Sequence, residues 1–375
     1  SPTSTLEEAH LAKKLAQGLG TGNLDYRLRH SDFRLDGKHK GVPWMGCSVV
    51  DLQEMERVLV IGSNLRNEYP LLSQRLRKAV AKGAQLSLVN PLDDDPLMKV
   101  ANKTICTPNG MVNALAQILK AMSGLPHISS PLPESLTGLL KSVKVQDSCQ
   151  VISDSLVGLG KDFTLLKPRV AVLLGNLAQH HPRYAEIFGL AEAIATLCGG
   201  KVGVLSAAAN SVGANLAGVL PSADGLNARA MLESPRKAYL LVNVEPELDC
   251  HNAAQARLAM QQAECVVALT AYKSEALKNA HALLPIAPYT ETSGTFISME
   301  GRVQSFSAAT KPLGECRPAW KVLRVLGNTL GLNGFDFDSS KQVKDEVFGG
   351  KEPVKVVGAC LNNQLAASGA QARRA

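Results

Sequence analysis

Residues able to do chemistry gather in short turns after apolar runs. Gly62-Ser63-Asn64 follows residues 57–61, Asn90-Pro91 follows 85–89, and Gly175 to His180 follows 170–174; Asn243 to Pro246 follows a fourth run and Gly294 a fifth. Glycine lets a backbone or ligand approach closely, and exposed N–H groups beside helix N-termini suit phosphate oxygens. This chemistry is the binding of a phosphate-bearing ligand, with Gly62, Asn64, Asn90, Gly175, Gln179, His180 and Gly294 as candidate contacts. The competing reading is structural, because every strand-to-helix turn needs small residues whether or not anything binds.

Other candidates are weaker. His180 and His181 are adjacent, so their rings diverge, and no carboxylate or cysteine stands at ligand spacing. The eight cysteines (47, 106, 149, 198, 250, 265, 316 and 360) are scattered without a C-x-x-C and read as reduced, buried, small hydrophobes. No phosphate-loop, H-E-x-x-H or G-x-S-x-G motif is present. Ser234-x-x-Lys237 contains Pro235 and reads as a turn, Asp93-Asp94-Asp95 as a solvated loop. Gly18 to Asn23 mimics a dinucleotide fingerprint, but it follows a helix, so it reads as a helix stop and turn.

The elements that must position these turns alternate. Residues 6–17 read as a helix capped by Thr5, with Glu7 and Glu8 at the positive end of its dipole. A β-branched run at 57–61, an amphipathic helix bearing Leu72, Leu76 and Ala79, and a return run at 85–90 form a βαβ unit. A strand-like 103–106 and a helix at about 111–122 follow; residues 124–167 read as an inter-lobe connection with short helices. A second unit spans 170–205. A third block holds strands at 238–243, 265–269 and 283–286, with helices around 251–262 and 274–280. Short extended runs at 295–297 and 303–306 and a helix at 318–330 complete the pattern.

The expected fold is α/β: two Rossmann-like lobes with mainly parallel sheets covered on both faces. The expected divisions are 1–56, an N-terminal helix and loop segment packing on the lobes; 57–168, the first lobe; 169–335, the second; and 336–375, a tail that frays from residue 361.

At 375 residues and 45% hydrophobic, the chain can bury a large core. Its net charge of +7 is dispersed, and 4% aromatics is too few for a base-stacking platform, which argues against nucleic acid. No apolar run approaches the ~18 residues that cross a bilayer. The Ser-Pro-Thr-Ser-Thr start is not a secretory signal and lacks Met, so the chain reads as a fragment or processed product.

Residues 283–320 carry a resemblance. Leu284-Pro285, Glu291, Gly294-Thr295-Phe296, Glu300-Gly301-Arg302, Gln304, Pro312, Gly314 and Trp320 match a segment of the molybdopterin oxidoreductase superfamily. Gly175, Gln179 and His180 match its G-x-x-x-Q-H, and residues 205–218 its N-x-x-G-A segment. Ser298 stands where most relatives have Asn. The chain most resembles the branch that forms the G subunit of the proton-pumping NADH:quinone oxidoreductase, respiratory complex I.

That resemblance implies a formate dehydrogenase/DMSO reductase-like architecture in which the candidate contacts line a vestigial pterin dinucleotide cleft. It implies a non-catalytic scaffold, with no cofactor of its own, in an oxidoreductase and translocase of the respiratory chain that passes electrons from NADH to quinone. Iron–sulfur clusters would lie in domains upstream of Ser1. The partners would be the flavin/NADH-binding and iron–sulfur subunits of the peripheral arm, on the cytoplasmic side of a bacterial inner membrane, without membrane insertion or nucleic acid. The alternative is a catalytic molybdenum bis-pterin guanine dinucleotide subunit, such as a formate dehydrogenase. Ser31, in Arg29-His30-Ser31-Asp32-Phe33, would then be the metal ligand.

Overall fold

The computed structural model describes residues 1–125, 134–158 and 169–366. Two compact units emerge. One comprises Ser1–Ser31 with Ser206–Leu361, the other Asp32–Leu205 with the chain from Asn362. They are called the first and second unit.

The second unit is built on one parallel sheet. Its strands are β1 (Arg57–Ile61), β2 (Gln85–Asn90), β3 (Asn102–Ile105), β4 (Val170–Leu174) and β5 (Lys201–Val204), in the order β3-β2-β1-β4-β5. Almost every residue of β1, β2 and β4 is buried, as in strands covered on both faces. Pro70 opens the first crossover helix, Pro70–Ala81, where its missing N–H costs nothing. Helix Gly110–Ser123 is apolar nearly all round because it is enclosed, and Met111, Leu115, Ile118 and Met122 belong to one core with Leu59, Val172 and Phe188.

This sheet corrects the expected divisions. The boundary placed at 168/169 falls inside it, since β1 pairs directly with β4, Arg57 opposite Val170 and Ile61 opposite Leu174. Residues 1–56 do not form one segment, because the division between units falls after Ser31. The connection expected at 124–167 is also reassigned in part: helix Asp147–Val157 puts Cys149, Ile152 and Leu156 into the second unit's core. Residues 126–133 and 159–167 of that stretch lie outside the described residues.

The first unit has a three-stranded parallel sheet, β6 (Ala238–Val242), β7 (Cys265–Thr270) and β8 (Ala282–Pro285), in that order. An antiparallel hairpin pairs β9 (Gly294–Ile297) with β10 (Val303–Phe306). Helix Leu6–Gly18 starts in a capping box: the Thr5 hydroxyl accepts from Glu8 N–H, and the Glu8 carboxylate accepts from Thr5 N–H at 3.0 Å. Leu11 and Leu15 enter a core with Leu269, Ile286, Trp320 and Leu323, the last two on helix Ala319–Thr329. The helix expected at 274–280 is a single 3-10 turn, Glu275–Leu277.

Coverage of both faces holds for the five-stranded sheet and fails for this one. Leu240 on β6 and Leu283 on β8 are each 39% exposed, so their apolar character does not report two-sided burial. The tail expected at 336–375 is also corrected. It contains helices Ser340–Val347 and Pro353–Cys360. Both helices belong to the first unit, whereas the chain from Asn362 belongs to the second, where the buried Asn363 amide accepts from Trp44 N–H and donates to the Trp44 and Val202 carbonyls at 2.8 and 2.7 Å. The segment expected to fray therefore holds through residue 366, and residues 367–375, with Arg373 and Arg374, lie outside the described residues.

Candidate functional site

Open parallel sheets bind ligands beyond the carboxyl ends of their strands, where the strand order reverses. In the second unit that point lies between β1 and β4. The turns after them, together with the end of β2, hold six of the seven candidate contacts: Gly62, Asn64, Asn90, Gly175, Gln179 and His180. Gly294 and Ser31 belong to the first unit.

The two turns are zipped together. Gly175 N–H donates to the Ile61 carbonyl at 2.9 Å, and the Gly62 carbonyl accepts from Leu177 N–H at 2.9 Å and Ala178 N–H at 3.4 Å. Gly62 needs to be glycine twice over, since its φ is +60° and a Cβ would lie 2.5 Å from the Ala178 nitrogen. A Cβ on Gly175 would overlap Ser63 and the Gly62 carbonyl.

Most polar side-chain groups here are engaged as well, the buried Asn90 side-chain oxygen being an exception. The Gln179 amide donates to the carbonyls of Leu174 at 3.2 Å and Leu205 at 2.5 Å. The Asn90 amide donates to the Ser63 and Leu92 carbonyls, both at 3.1 Å, and Asn64 caps the short helix Leu65–Glu68 by accepting from Asn67 N–H. His180 N–H donates to Asn176, and the His181 ring accepts from Arg183 N–H at 2.9 Å. Burial holds the His181 imidazole below its usual pKa.

Two residues outside the expected set complete this arrangement. Glu68 places its carboxylate at the helix start, where it accepts from the Ser63 hydroxyl at 2.9 Å and Asn64 N–H at 3.1 Å. The Tyr69 hydroxyl donates to the Asn176 side chain at 2.9 Å and the Leu205 carbonyl at 3.2 Å, and burial raises its pKa. Asn67-Glu68-Tyr69-Pro70, a polar run ended by proline, was the only sequence signal, and it marks a turn without naming partners.

In the first unit Gly294 opens β9, and its φ is outside the left-handed region. It is small for another reason: a Cβ would overlap the side chain of Thr5, the helix cap. The strand before it, β8, is half-exposed where burial was expected. Next to Gly294, Thr295 donates its N–H and hydroxyl to the Glu7 carboxylate at 2.8 and 2.7 Å, so Glu7 is a buried acceptor, beyond any effect on the helix dipole. Burial raises the pKa of Glu7, and that of Glu8 to about 7.

The matched segments have structural explanations. In N-x-x-G-A, Asn210 donates to the Ser4 carbonyl at 2.7 Å and accepts from Ile297 N–H at 2.9 Å, while a Cβ on Gly213 would overlap the Asn210 side-chain oxygen. Gly301 turns the hairpin at φ +83°, with Glu300 and Arg302 paired at 2.9 Å. Ser31 is buried, and its carbonyl accepts from Arg229 at 2.8 Å. Burial alone would raise the Asp32 pKa; the Arg34 guanidinium and Ala185 N–H hold it below the usual carboxylate range. Among the described residues, no three His, Cys, Asp or Glu side chains cluster as a metal site, and no helix is long and apolar enough to cross a membrane.

A family model described as molybdopterin oxidoreductase matches residues 1–329. The NADPH-Fe(3+) oxidoreductase subunit alpha of Geobacter sulfurreducens is 24% identical, over 88% of this chain and 44% of that protein. The G subunit of the NADH-quinone oxidoreductase of Streptomyces coelicolor is 29% identical, over 82% of this chain and 39% of its own. The F420-dependent formate dehydrogenase subunit alpha of Methanocaldococcus jannaschii is 23% identical, over 92% and 59%. The chain therefore spans between 39% and 59% of the length of these relatives. A chain from the formyltransferase/hydrolase complex of Methylorubrum extorquens, solved with methylofuran, superposes with a TM-score of 0.57 over 93% of this chain and 90% of its own, at 11% identity, which is a likeness of fold.

Proposed function

This chain belongs to the molybdopterin oxidoreductase family, and from that premise we propose that it is the non-catalytic scaffold region of the G subunit of an NADH-quinone oxidoreductase. The observation that carries the proposal is the Glu68 carboxylate, which takes the Ser63 hydroxyl and Asn64 N–H at the start of helix Leu65–Glu68. A dinucleotide phosphate at this turn would need those donors, and it would meet a negative charge in their place. The amide N–H groups of Gln179 and Asn90 are likewise taken by the protein's own carbonyls, and the Asn90 side-chain oxygen, buried without a partner, is an acceptor that offers a phosphate nothing. In this reading the turns are closed to a pterin guanine dinucleotide by the chain's own side chains.

In this reading the pterin-enzyme fold is kept as a rigid body that positions neighbouring subunits of the peripheral arm. Electrons would pass from NADH to quinone through clusters held elsewhere in the complex, at the cytoplasmic side of a bacterial inner membrane. Supporting it are the relatedness to the G subunits of NADH-quinone oxidoreductases and the dispersed cysteines.

Elemental mass spectrometry of the folded chain, joined to assays for released guanine nucleotide and oxidised pterin, tests the proposal. Less than a tenth of a molybdenum or tungsten atom per chain, with no pterin, is the expected result. One metal atom per chain, with pterin released on denaturation, would overturn it in favour of the catalytic alternative with Ser31 on the metal.

A further inference from the structure

Helix Pro70–Ala81 of the second unit turns one side inwards through Leu72, Leu76 and Ala79, which are buried. Its other side is exposed and carries charge of one sign. Residues three, four and seven apart share a helix face, so Leu71, half-buried Arg75, exposed Lys78 and the C-cap Lys82 form one stripe, with Gln74 and exposed Arg77 beside it.

No carboxylate of the helix offsets these cations, since the sequence from Tyr69 to Leu92 contains neither Asp nor Glu. Lys82 reaches Glu54 at 3.0 Å, while among the described residues Arg75, Arg77 and Lys78 pair with no carboxylate. Other exposed helices neutralise their own cations: Arg229 pairs with Glu233 at 2.7 Å, Lys341 with Asp345 at 2.9 Å and Lys355 with Glu352 at 2.8 Å. Here Lys78 instead stands one turn from Arg75 and one turn from Lys82, an arrangement in which like charges repel.

At the amino-terminal end of the stripe Leu71 is 76% exposed, against 5% for its neighbour Leu72. One leucine is too little for a bilayer surface, which takes a continuous apolar face. The stripe has no aromatic ring on which a base could stack. Arginines suit carboxylates, which they grip with two parallel hydrogen bonds. Charge and shape together fit a protein surface on which Asp and Glu side chains surround an apolar recess for Leu71.

We propose that the exposed face of helix Pro70–Ala81 docks an acidic face of another subunit, with Leu71 entering an apolar recess and Arg75, Arg77 and Lys78 pairing with carboxylates around it. This docking rests on the reading of the chain as a scaffold that positions neighbouring subunits, and adds which surface makes the contact and the chemistry of what it meets.

The test isolates the intact assembly through an affinity tag on this protein and treats it with a carbodiimide, which joins a lysine amine directly to a carboxylate in contact with it. Lys78 is expected to be linked to an Asp or Glu of a different polypeptide. Arg77→Glu combined with Lys78→Glu is expected to lower recovery of that polypeptide by at least about ten-fold, and replacing its linked carboxylate by Lys should restore recovery. Arg77→Gln with Lys78→Gln, which removes the charges without reversing them, serves if circular dichroism shows the first pair to disturb folding. Full recovery of every subunit with a folded variant would overturn the docking and leave the scaffold reading standing. Recovery of this protein with no companion subunit would overturn both. Linkage of Lys78 to a second copy of this chain, or loss of binding to phosphatidylglycerol vesicles as the sole effect of the substitutions, would also overturn the docking, by assigning the face to self-association or to a membrane.

Discussion

The Glu68 carboxylate accepts a hydrogen bond from the Ser63 hydroxyl at 2.9 Å, within the turn that ends β1. A side chain five residues downstream thereby meets donors that a bound anion would otherwise take. Glu68→Ala removes the acceptor for both Ser63 and Asn64 N–H, and is expected to cost about 1–2 kcal/mol. Glu68→Gln, which keeps one acceptor, should cost less. Thermal unfolding reads both, and an unshifted midpoint for Glu68→Ala would show that the turn does not depend on this contact.

Gly62 and Gly83 both have positive φ, +60° and +103°, but only Gly62 faces a neighbour. Gly83→Ala is expected to cost about 1 kcal/mol, the penalty of the backbone conformation. Gly62→Ala must in addition push the turn bearing Ala178 away, and is expected to cost about 2–4 kcal/mol. Denaturant titration of the pair separates the terms; equal losses would mean that the turns after β1 and β4 can part freely.

Gly294→Val is expected to destabilise the chain by roughly 1–3 kcal/mol through overlap with Thr5. The origin is checked by a double-mutant cycle with Thr5→Ser, which keeps the capping hydroxyl and removes the methyl group that a Cβ at 294 would strike. The combination should lose less than the sum of the single losses. Strict additivity would place the strain elsewhere.

Burial raises the Glu8 pKa from 4.5 to about 7. Between those values the folded state holds more protons than the unfolded state, so the Glu8 contribution is complete below pH 4.5 and falls away as pH rises towards 7. The loss is on the order of 3 kcal/mol. Stability measured from pH 4.5 to 7.5 should decline more steeply in the native chain than in Glu8→Gln, whose amide oxygen can still accept from Thr5 N–H. Parallel profiles would show that Glu8 titrates as it does in the unfolded chain.

Much of the fold was legible in local pattern. The run at 57–61, the stripe of Leu72, Leu76 and Ala79, and the return at 85–90 appear as β1, helix Pro70–Ala81 and β2, because burial on both faces and helical periodicity each leave a signature within a few residues. Thr5 capped its helix as expected, since a capping box lies within four consecutive residues. The resemblance carried by Glu300-Gly301-Arg302 and its neighbours pointed to the family that the match over residues 1–329 shows.

What the sequence by itself determined, then, was the order of the elements, the parallel sheets and the family, because each is written in neighbouring residues or in a motif. The tertiary structure alone decided which strands share a sheet, and so placed β4 beside β1 and the boundary expected at 168/169 inside one unit. It also decided where the polar side chains of the turns are directed. Pairing across more than a hundred residues and the choice of a hydrogen-bond partner depend on what the folded chain brings within about 3 Å, and spacing along the sequence does not record it.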